Sequence, residues 1–381
     1  MGRNLRTIDW NVTAMGRNLR TIDWNVTAMG RNLRTIDWDS PFWIFQYLYV
    51  YYASMSLEGR TYFVLWSTQL IYYPLLAAVG VPVNSLTIVI LSRGKCGLSK
   101  CVTRYLVSMA AADLLVIIID LILRQIPILY RSLFTFLYQL PLCNIHAVLL
   151  YAVTDCSVWF SVTFTFDRFV AICCQKMKTK YCNKKTAAVV LGTVSVLSCL
   201  KNIFWYFMFE GPYLLSNTPW FCFPVIGVVS SPVWAVIELL HYVLNPCVPF
   251  ILILFLNVLT VRHILVASRA RRRLRGHSSG ESPRDPEMES RRKSMILLFV
   301  ISGNFIVLWV VFMFYSINRR LLYLDYTSVI LHPLVQELGF MLQLLSCCTN
   351  TCIYAVTQAK FRVQLKNVVK YPFTVIVKFI K

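Results

Sequence analysis

The chain has 381 residues, 57% hydrophobic and only 14% charged, with a formal charge of +21, whereas soluble domains carry roughly a quarter charged residues. This balance excludes an ordinary soluble core. It excludes nucleic acid as the reason for the charge as well, because the basic residues sit in short connections between long apolar runs.

Residues 1–63 form a predicted external tail. MGRNLRTIDWNVTA at 1–14 recurs unchanged at 15–28, and MGRNLRTIDW begins again at 29. Two full copies with few apolar residues cannot bury a core, so the repeat reads as readily as an artefactual duplication, or as alternative starts at Met15 and Met29, as it does as a functional element. Each copy holds a glycosylation sequon, at Asn11 and Asn25, which is modified if the tail is exported. No cleavable signal peptide is evident, and the first apolar run can serve as an internal signal.

Seven apolar runs follow, at 64–91, 104–124, 144–172, 187–209, 232–266, 295–317 and 327–356. Each is long enough to cross a bilayer. Backbone donors and acceptors must pair within each run in lipid, so the runs are predicted to be helices. The third and fifth exceed about 20 residues, which calls for tilt or protrusion into the cytoplasm. Arg93, Lys95, Lys100 and Arg104 follow the first run, Lys176, Lys178 and Lys180 the third, Arg269 and Arg271 the fifth, and Lys360 and Arg362 the seventh. The alternate connections hold few basic residues, among them Arg131 and then Arg319 and Arg320. The positive-inside rule therefore puts the N-terminus outside and the C-terminus in the cytoplasm.

That orientation places Cys143 and Cys222 outside, where a disulfide between them is expected; the other cysteines are expected to be reduced packing residues. The third cytoplasmic loop, 267–294, has basic ends and a polar, proline-containing middle, the pattern of a disordered segment near anionic lipid. In the tail, 357–381, apolar Phe361, Leu365 and Val369 alternate with basic residues, which predicts a helix on the inner membrane surface.

Ionisable groups inside membrane runs are costly and mark mechanism or a structural network. Asp113 lies halfway along the second run, Asn84 in the first and Asn350 in the seventh. Asp167-Arg168 closes the third run at its predicted cytoplasmic end. No cysteine–histidine ligand spacing, CxxC pair or glycine-rich phosphate loop is present, and no nucleophile arrangement points to an enzyme.

The order of these residues resembles the rhodopsin-like G-protein coupled receptors over 64–370, most closely in ADLLVIIIDLILRQIPILY and CNIHAVLLYAVTDCSVWFSVTFTFDRFVAICCQK. The helix-one asparagine of that family falls on Asn84, the helix-two aspartate on Asp113 and the helix-three cysteine on Cys143. Its Asp-Arg-Tyr triplet falls on Asp167, Arg168 and Phe169, its helix-five proline on Pro249 and its helix-six aromatic pair on Phe305 and Trp309. Its Asn-Pro-x-x-Tyr motif falls on Asn350 to Tyr354. Phe169, Thr351, Val311, Ser195 and Asn257 depart from the family pattern, so any bend of helix six must arise without a proline.

The resemblance implies an all-α seven-transmembrane bundle in the plasma membrane, spanning 64–356. It implies a heterotrimeric G protein of the Gq/11 class as partner, with arrestin and receptor kinases beside it, and neither an enzyme nor a nucleic-acid binder. Coupling would be carried by Asp167, Arg168, Phe305, Trp309, Asn350 and Tyr354. An allosteric sodium ion would lie among Asp113, Ser157, Ser346 and Asn350, with no other cofactor. Leu150 stands where amine receptors place an aspartate, which argues against a monoamine anchored there. Arg124, Trp234, Glu238, His241, Asn304, Trp309 and Glu337 are the candidate cavity residues. Arg124 suits a carboxylate, Glu337 an ammonium and Trp309 an aromatic ring; together they suit an aromatic amino acid such as tryptophan or phenylalanine. A peptide-responsive receptor of the same fold remains an alternative. So does a seven-helix transporter or channel, although the sequence has no internal symmetry.

Overall fold

A computed structural model of the protein describes residues 52–215, 221–229, 231–275 and 286–380. The sequons at Asn11 and Asn25, the repeated tail and the middle of the third cytoplasmic loop lie outside the described residues. Seven helices long and apolar enough to cross a membrane are present among those described. They are α1 (Leu57–Ser92), α2 (Lys100–Leu129), α3 (Cys143–Cys173), α4 (Lys184–Met208), α5 (Pro232–Arg269, continuing as a helix to Arg275), α6 (Pro286–Tyr323) and α7 (Pro333–Thr357). An eighth helix, α8, covers Ala359–Ile380.

Local chemistry sets several helix starts. The side chains of Ser56, Ser99 and Asn183 accept from Gly59, Val102 and Thr186 amides at 3.1, 3.3 and 2.9 Å, satisfying otherwise orphaned donors. Helix α7 begins at Pro333 rather than at 327. Proline at the first helical position lacks an amide that would have no partner there, and His332 Nδ1 accepts from the Leu334 amide at 3.2 Å. Residues 327–332 are consequently non-helical. At the other side of that connection α6 extends to Tyr323, so Arg319 and Arg320 lie on its last turns and not in the external loop where the charge pattern assigned them.

Two helices are irregular. In α2 a π-helical stretch covers Ile117–Gln125, and in α5 another covers Val243–Cys247. The α5 break contains Pro246, which has no amide to donate to the helical ladder, and Asn245 takes φ −151° and ψ 109°. The break therefore falls at Pro246, whereas Pro249, the position matched from sequence, lies in the regular helix beyond it. Helix α6 is continuous through Val311. Helix α7 is continuous through Thr351, whose hydroxyl lies 2.6 Å from that of Thr87.

Helix α3 runs through the middle of the bundle, packed against α2, α4, α5 and α6. Lipid is as apolar as leucine, so close packing and interhelical hydrogen bonds hold such helices together. At Gly80 an added Cβ would lie 2.7 Å from Cys348 Sγ and 2.8 Å from Ile117 Cδ1, so glycine permits the close approach of α1, α2 and α7. Nearby, Asn84 Nδ2 donates to the Cys347 carbonyl at 2.9 Å, joining α1 to α7 without reaching Asp113. The inner half is filled by Tyr105, Leu106, Met109, Phe164, Ile301 and Tyr354, with Phe361 of α8 packed beneath Tyr354. Val189, Leu197, Phe255, Val307 and Phe314 point outward, as lipid-facing positions require.

The outer end is covered by a two-stranded antiparallel hairpin, β1 (Phe209–Tyr213) and β2 (Cys222–Pro224). The expected disulfide joins Cys143 at the start of α3 to Cys222 on β2. It pins the hairpin over the bundle and brings Phe221 to the cavity wall.

Candidate functional site

An outer cavity lies between α2, α3, α5, α6 and α7 beneath the hairpin. Trp309 forms part of its inner wall; the indole Nε1 donates to Ser346 Oγ at 3.0 Å, and the ring stacks on Phe305 with centroids 5.4 Å apart. Phe312 and Tyr151 add aromatic walls.

Three of the cavity's four charged side chains, Asp120, Arg124 and Arg320, are ion-paired. The π-helical stretch of α2 carries Asp120 and Arg124 one turn apart, and their side chains pair at 2.7 Å. The Arg124 guanidinium also lies over the rings of Phe340 and Phe221, 4.9 and 5.6 Å from their centroids. Arg320 of α6 pairs with Glu238 of α5 at 2.7 Å, the carboxylate buried and the guanidinium largely so. Arg319 differs: it lines the same cavity and donates to Tyr315 Oη and Gln336 Oε1 at 3.2 and 3.3 Å, both neutral oxygens. Its hydrogen bonds therefore go to neutral oxygens, although its charge also acts on the nearby Glu238 carboxylate. Three further wall atoms, His241 Nδ1, Asn245 Oδ1 and Gln343 Oε1, are buried without a hydrogen-bond partner.

Several sequence candidates sit elsewhere. Glu337 turns toward α1, where its Oε2 accepts from Gln69 Nε2 at 2.7 Å, so it is not a cavity-wall carboxylate. Trp234 packs on Phe204, outside the cavity lining. Asn304 precedes Trp309 by more than a helical turn on the cytoplasmic side and is likewise off the wall. Glu238 reaches the cavity only through Arg320, and Arg124 is matched by Asp120 and so is not a free carboxylate receptor.

Behind the wall, Asp155 of α3 gathers the side chains of Lys201 at 2.6 Å, Asn202 at 2.5 Å and Asn245. One buried carboxylate thus ties α3 to the end of α4 and to the break in α5. Trp205 caps this cluster, donating to Asn202 Oδ1 at 3.2 Å and stacking on Tyr151 at 4.0 Å. Sequence reasoning assigned Asp155, inside the third apolar run, no part in the site. The usable signal was there: charged and amide residues inside apolar runs, of which Asp120-x-x-x-Arg124 has the spacing of a helical ion pair.

Below Trp309, Asp113 Oδ1 and Oδ2 accept from Ser157 Oγ at 2.6 Å and Asn350 Nδ2 at 2.7 Å. Ser346 is instead engaged by Trp309 and by the Gln343 carbonyl at 2.6 Å. Tyr354 is wholly buried one turn beyond Asn350. At the inner end of α3, Asp167 and Arg168 form an ion pair, both buried. No group of three or more His, Cys, Asp and Glu side chains is arranged as a metal site among the described residues.

Seven membrane helices with an outer cavity, a polar middle and a buried acid–base pair at the inner end define a multi-pass membrane protein of the receptor class. A family model described as "7 transmembrane receptor (rhodopsin family)" matches residues 83–354, and the chain belongs to that family, one of receptors and not of enzymes. It is similar to G-protein coupled receptor 39 of mouse, cattle and human, each 29% identical over 154 residues. The similarity covers 40% of this chain and 34% of each relative, so the matched part spans about a third of those proteins' length.

Proposed function

We propose that the protein is a plasma-membrane G-protein coupled receptor whose outer cavity binds a small aromatic amino acid, such as tryptophan or phenylalanine, and whose inner end activates a heterotrimeric G protein of the Gq/11 class. The observation that carries the ligand class is the combination on one wall of Arg319, hydrogen-bonded to neutral oxygens, with two buried acceptors that lack donors, Asn245 Oδ1 and Gln343 Oε1, beside the unpartnered His241 Nδ1. A zwitterion supplies a carboxylate for the first and N–H donors for the second, while its ring lies against Trp309 and Phe312. The G-protein partner follows from family membership and agrees with the relatives' name. The Gq/11 class, arrestin and receptor kinases rest on the resemblance alone.

The step is a population shift, in which ligand favours the state it binds more tightly. Contacts at Trp309 and at the α5 break bias α6 to move outward at its cytoplasmic end, the Asp167-Arg168 pair loosens, and Arg168 meets the G protein. In cells expressing the receptor, Arg319→Gln is expected to raise the half-maximal concentration of L-tryptophan or L-phenylalanine in a calcium readout about 10- to 100-fold, the scale of a lost charge-assisted bond. The corresponding amino-acid amides should be weak on the native protein and little changed by the substitution. Equal potency of acid and amide on the native protein would contradict the assignment of Arg319.

The residues around Asp113 suit a small hard cation. The carboxylate is buried, its two hydrogen-bond donors are neutral, and Ser157 and Asn350 bring further side-chain oxygens with them, while Ser346, engaged by Trp309, would have to turn to join them. A bound sodium ion would supply positive charge to this carboxylate and so stabilise the resting packing of α2, α3 and α7. Replacing choline chloride by sodium chloride is expected to raise the thermal midpoint of the purified receptor, and Asp113→Asn to remove that difference. A sodium effect that survives Asp113→Asn would place the ion elsewhere.

A further inference from the structure

The inner ion pair is held by more than its own two residues. Asp167 Oδ2 accepts from Arg168, and its other carboxylate oxygen, Oδ1, accepts from Cys101 Sγ at 3.2 Å. The main-chain carbonyl of Asp167 accepts from Cys182 Sγ at 3.6 Å. Cys101 lies in the first turn of α2, beside the Ser99 cap, and Cys182 lies in the turn between the short helix Gln175–Tyr181 and α4. Two thiols from two different elements therefore bracket one aspartate on α3.

Asp167 is 1% exposed and Cys101 2%, so water cannot readily replace the thiol donor. Burial, reinforced by the negative charge of Asp167, pushes the Cys182 thiol up to about 12. It keeps its proton and its role as donor at cellular pH. Both cysteines are free, and neither belongs to the cavity or to the disulfide.

We propose that Cys101 and Cys182 are positioning residues for the Asp167-Arg168 pair, their thiols holding the aspartate in the orientation that engages Arg168 and thereby setting the level of ligand-independent signalling. The inference rests on the proposed role of that pair as a resting-state restraint. A carboxylate that loses its Oδ1 donor gains freedom to rotate, and the state in which Arg168 is released becomes more populated. Thiols are weak donors, so the restraint is shallow and responds to single substitutions. Cys101 carries more of it than Cys182, because it holds the carboxylate itself whereas Cys182 holds a carbonyl within α3.

The test uses the full receptor in lipid nanodiscs, a panel of purified heterotrimers and no ligand, with nucleotide exchange as readout. Cys101→Val, similar in volume but without a donor, is expected to raise basal exchange about three- to tenfold. Cys182→Ala should raise it less. Cys101→Ser, which restores a donor, should bring it back to the native level or below, an outcome that a packing role alone would not produce. Asp167→Asn is the reference for a released pair. If it raises basal exchange while Cys101→Val leaves the native level unchanged, or if Cys101→Ser behaves as Cys101→Val does, the thiol inference is overturned and the latch stands. If Asp167→Asn itself leaves basal exchange unchanged, the latch falls and the thiol inference with it.

Discussion

Arg168→Ala is expected to reduce ligand-dependent nucleotide exchange on the G protein by about 100-fold at matched surface expression. Arg168 sits at the cytoplasmic end of α3, buried and ion-paired with its neighbour Asp167. A guanidinium kept in a dry site represents a held charge, and its release gives the partner a planar five-donor group that lysine cannot imitate. Losing one buried charged contact at an interface costs about 2–5 kcal/mol, which sets the expected scale. Arg168→Lys should recover only part of the exchange, because a point charge replaces the fork. Phe169 does not enter this expectation: its ring packs against Phe166 and carries no polar group. Nucleotide exchange assayed with purified components checks the result, and unchanged exchange would remove Arg168 from the coupling surface.

The second large effect is on stability. Asp155→Ala should lower the thermal midpoint by on the order of 10 °C, through a loss of about 3–5 kcal/mol. The substitution strands the Lys201 ammonium, Asn202 and Asn245, three side chains from α4 and from the α5 break that share this carboxylate. Lys201 is 28% exposed in its side chain and recovers some hydration, so the lower part of that range applies if it swings away. Asp155→Leu combined with Lys201→Met should restore part of the midpoint, because removing both charges costs less than removing one. A midpoint in Asp155→Ala equal to that of the native protein would mean the cluster does not hold α3, α4 and α5 together.

The architecture was legible because it follows from two crude quantities, the length of the apolar runs and the side on which lysine and arginine accumulate. Those quantities are insensitive to individual contacts. The disulfide was legible for the same reason, since the topology left Cys143 and Cys222 together on the outside. The polar middle was partly legible: Asp113, Ser157 and Asn350 meet as expected, yet Ser346 belongs to Trp309. The cavity wall was less legible. Depth along a helix can be read from position, but the direction of a side chain depends on helix rotation, and two π-helical stretches shift that rotation midway along α2 and α5. Glu337, on the regular helix α7, turns to Gln69 of α1, and Trp234, on the outer side of the α5 break, turns to Phe204 of α4. Arg319 and Arg320 were missed for a different reason: the hydropathy edge of the sixth run falls before the helix ends, so two arginines that line the cavity looked like loop residues. Charge pairing was legible at one pair and hidden at the other: Asp120 stands one turn before Arg124 in the sequence, whereas Glu238 and Arg320 meet only in the folded bundle.

On the proposed function the bundle passes information and not solute. The most direct test reconstitutes the receptor alone in sealed vesicles, exposes the extracellular side to L-tryptophan or L-phenylalanine, and measures two quantities together: nucleotide exchange on an added Gq-class heterotrimer, and movement of the labelled amino acid or of ions across the membrane. Ligand-dependent exchange with no flux is the predicted result. Ligand-dependent flux with exchange unchanged would contradict the account and assign the cavity to a transport pathway.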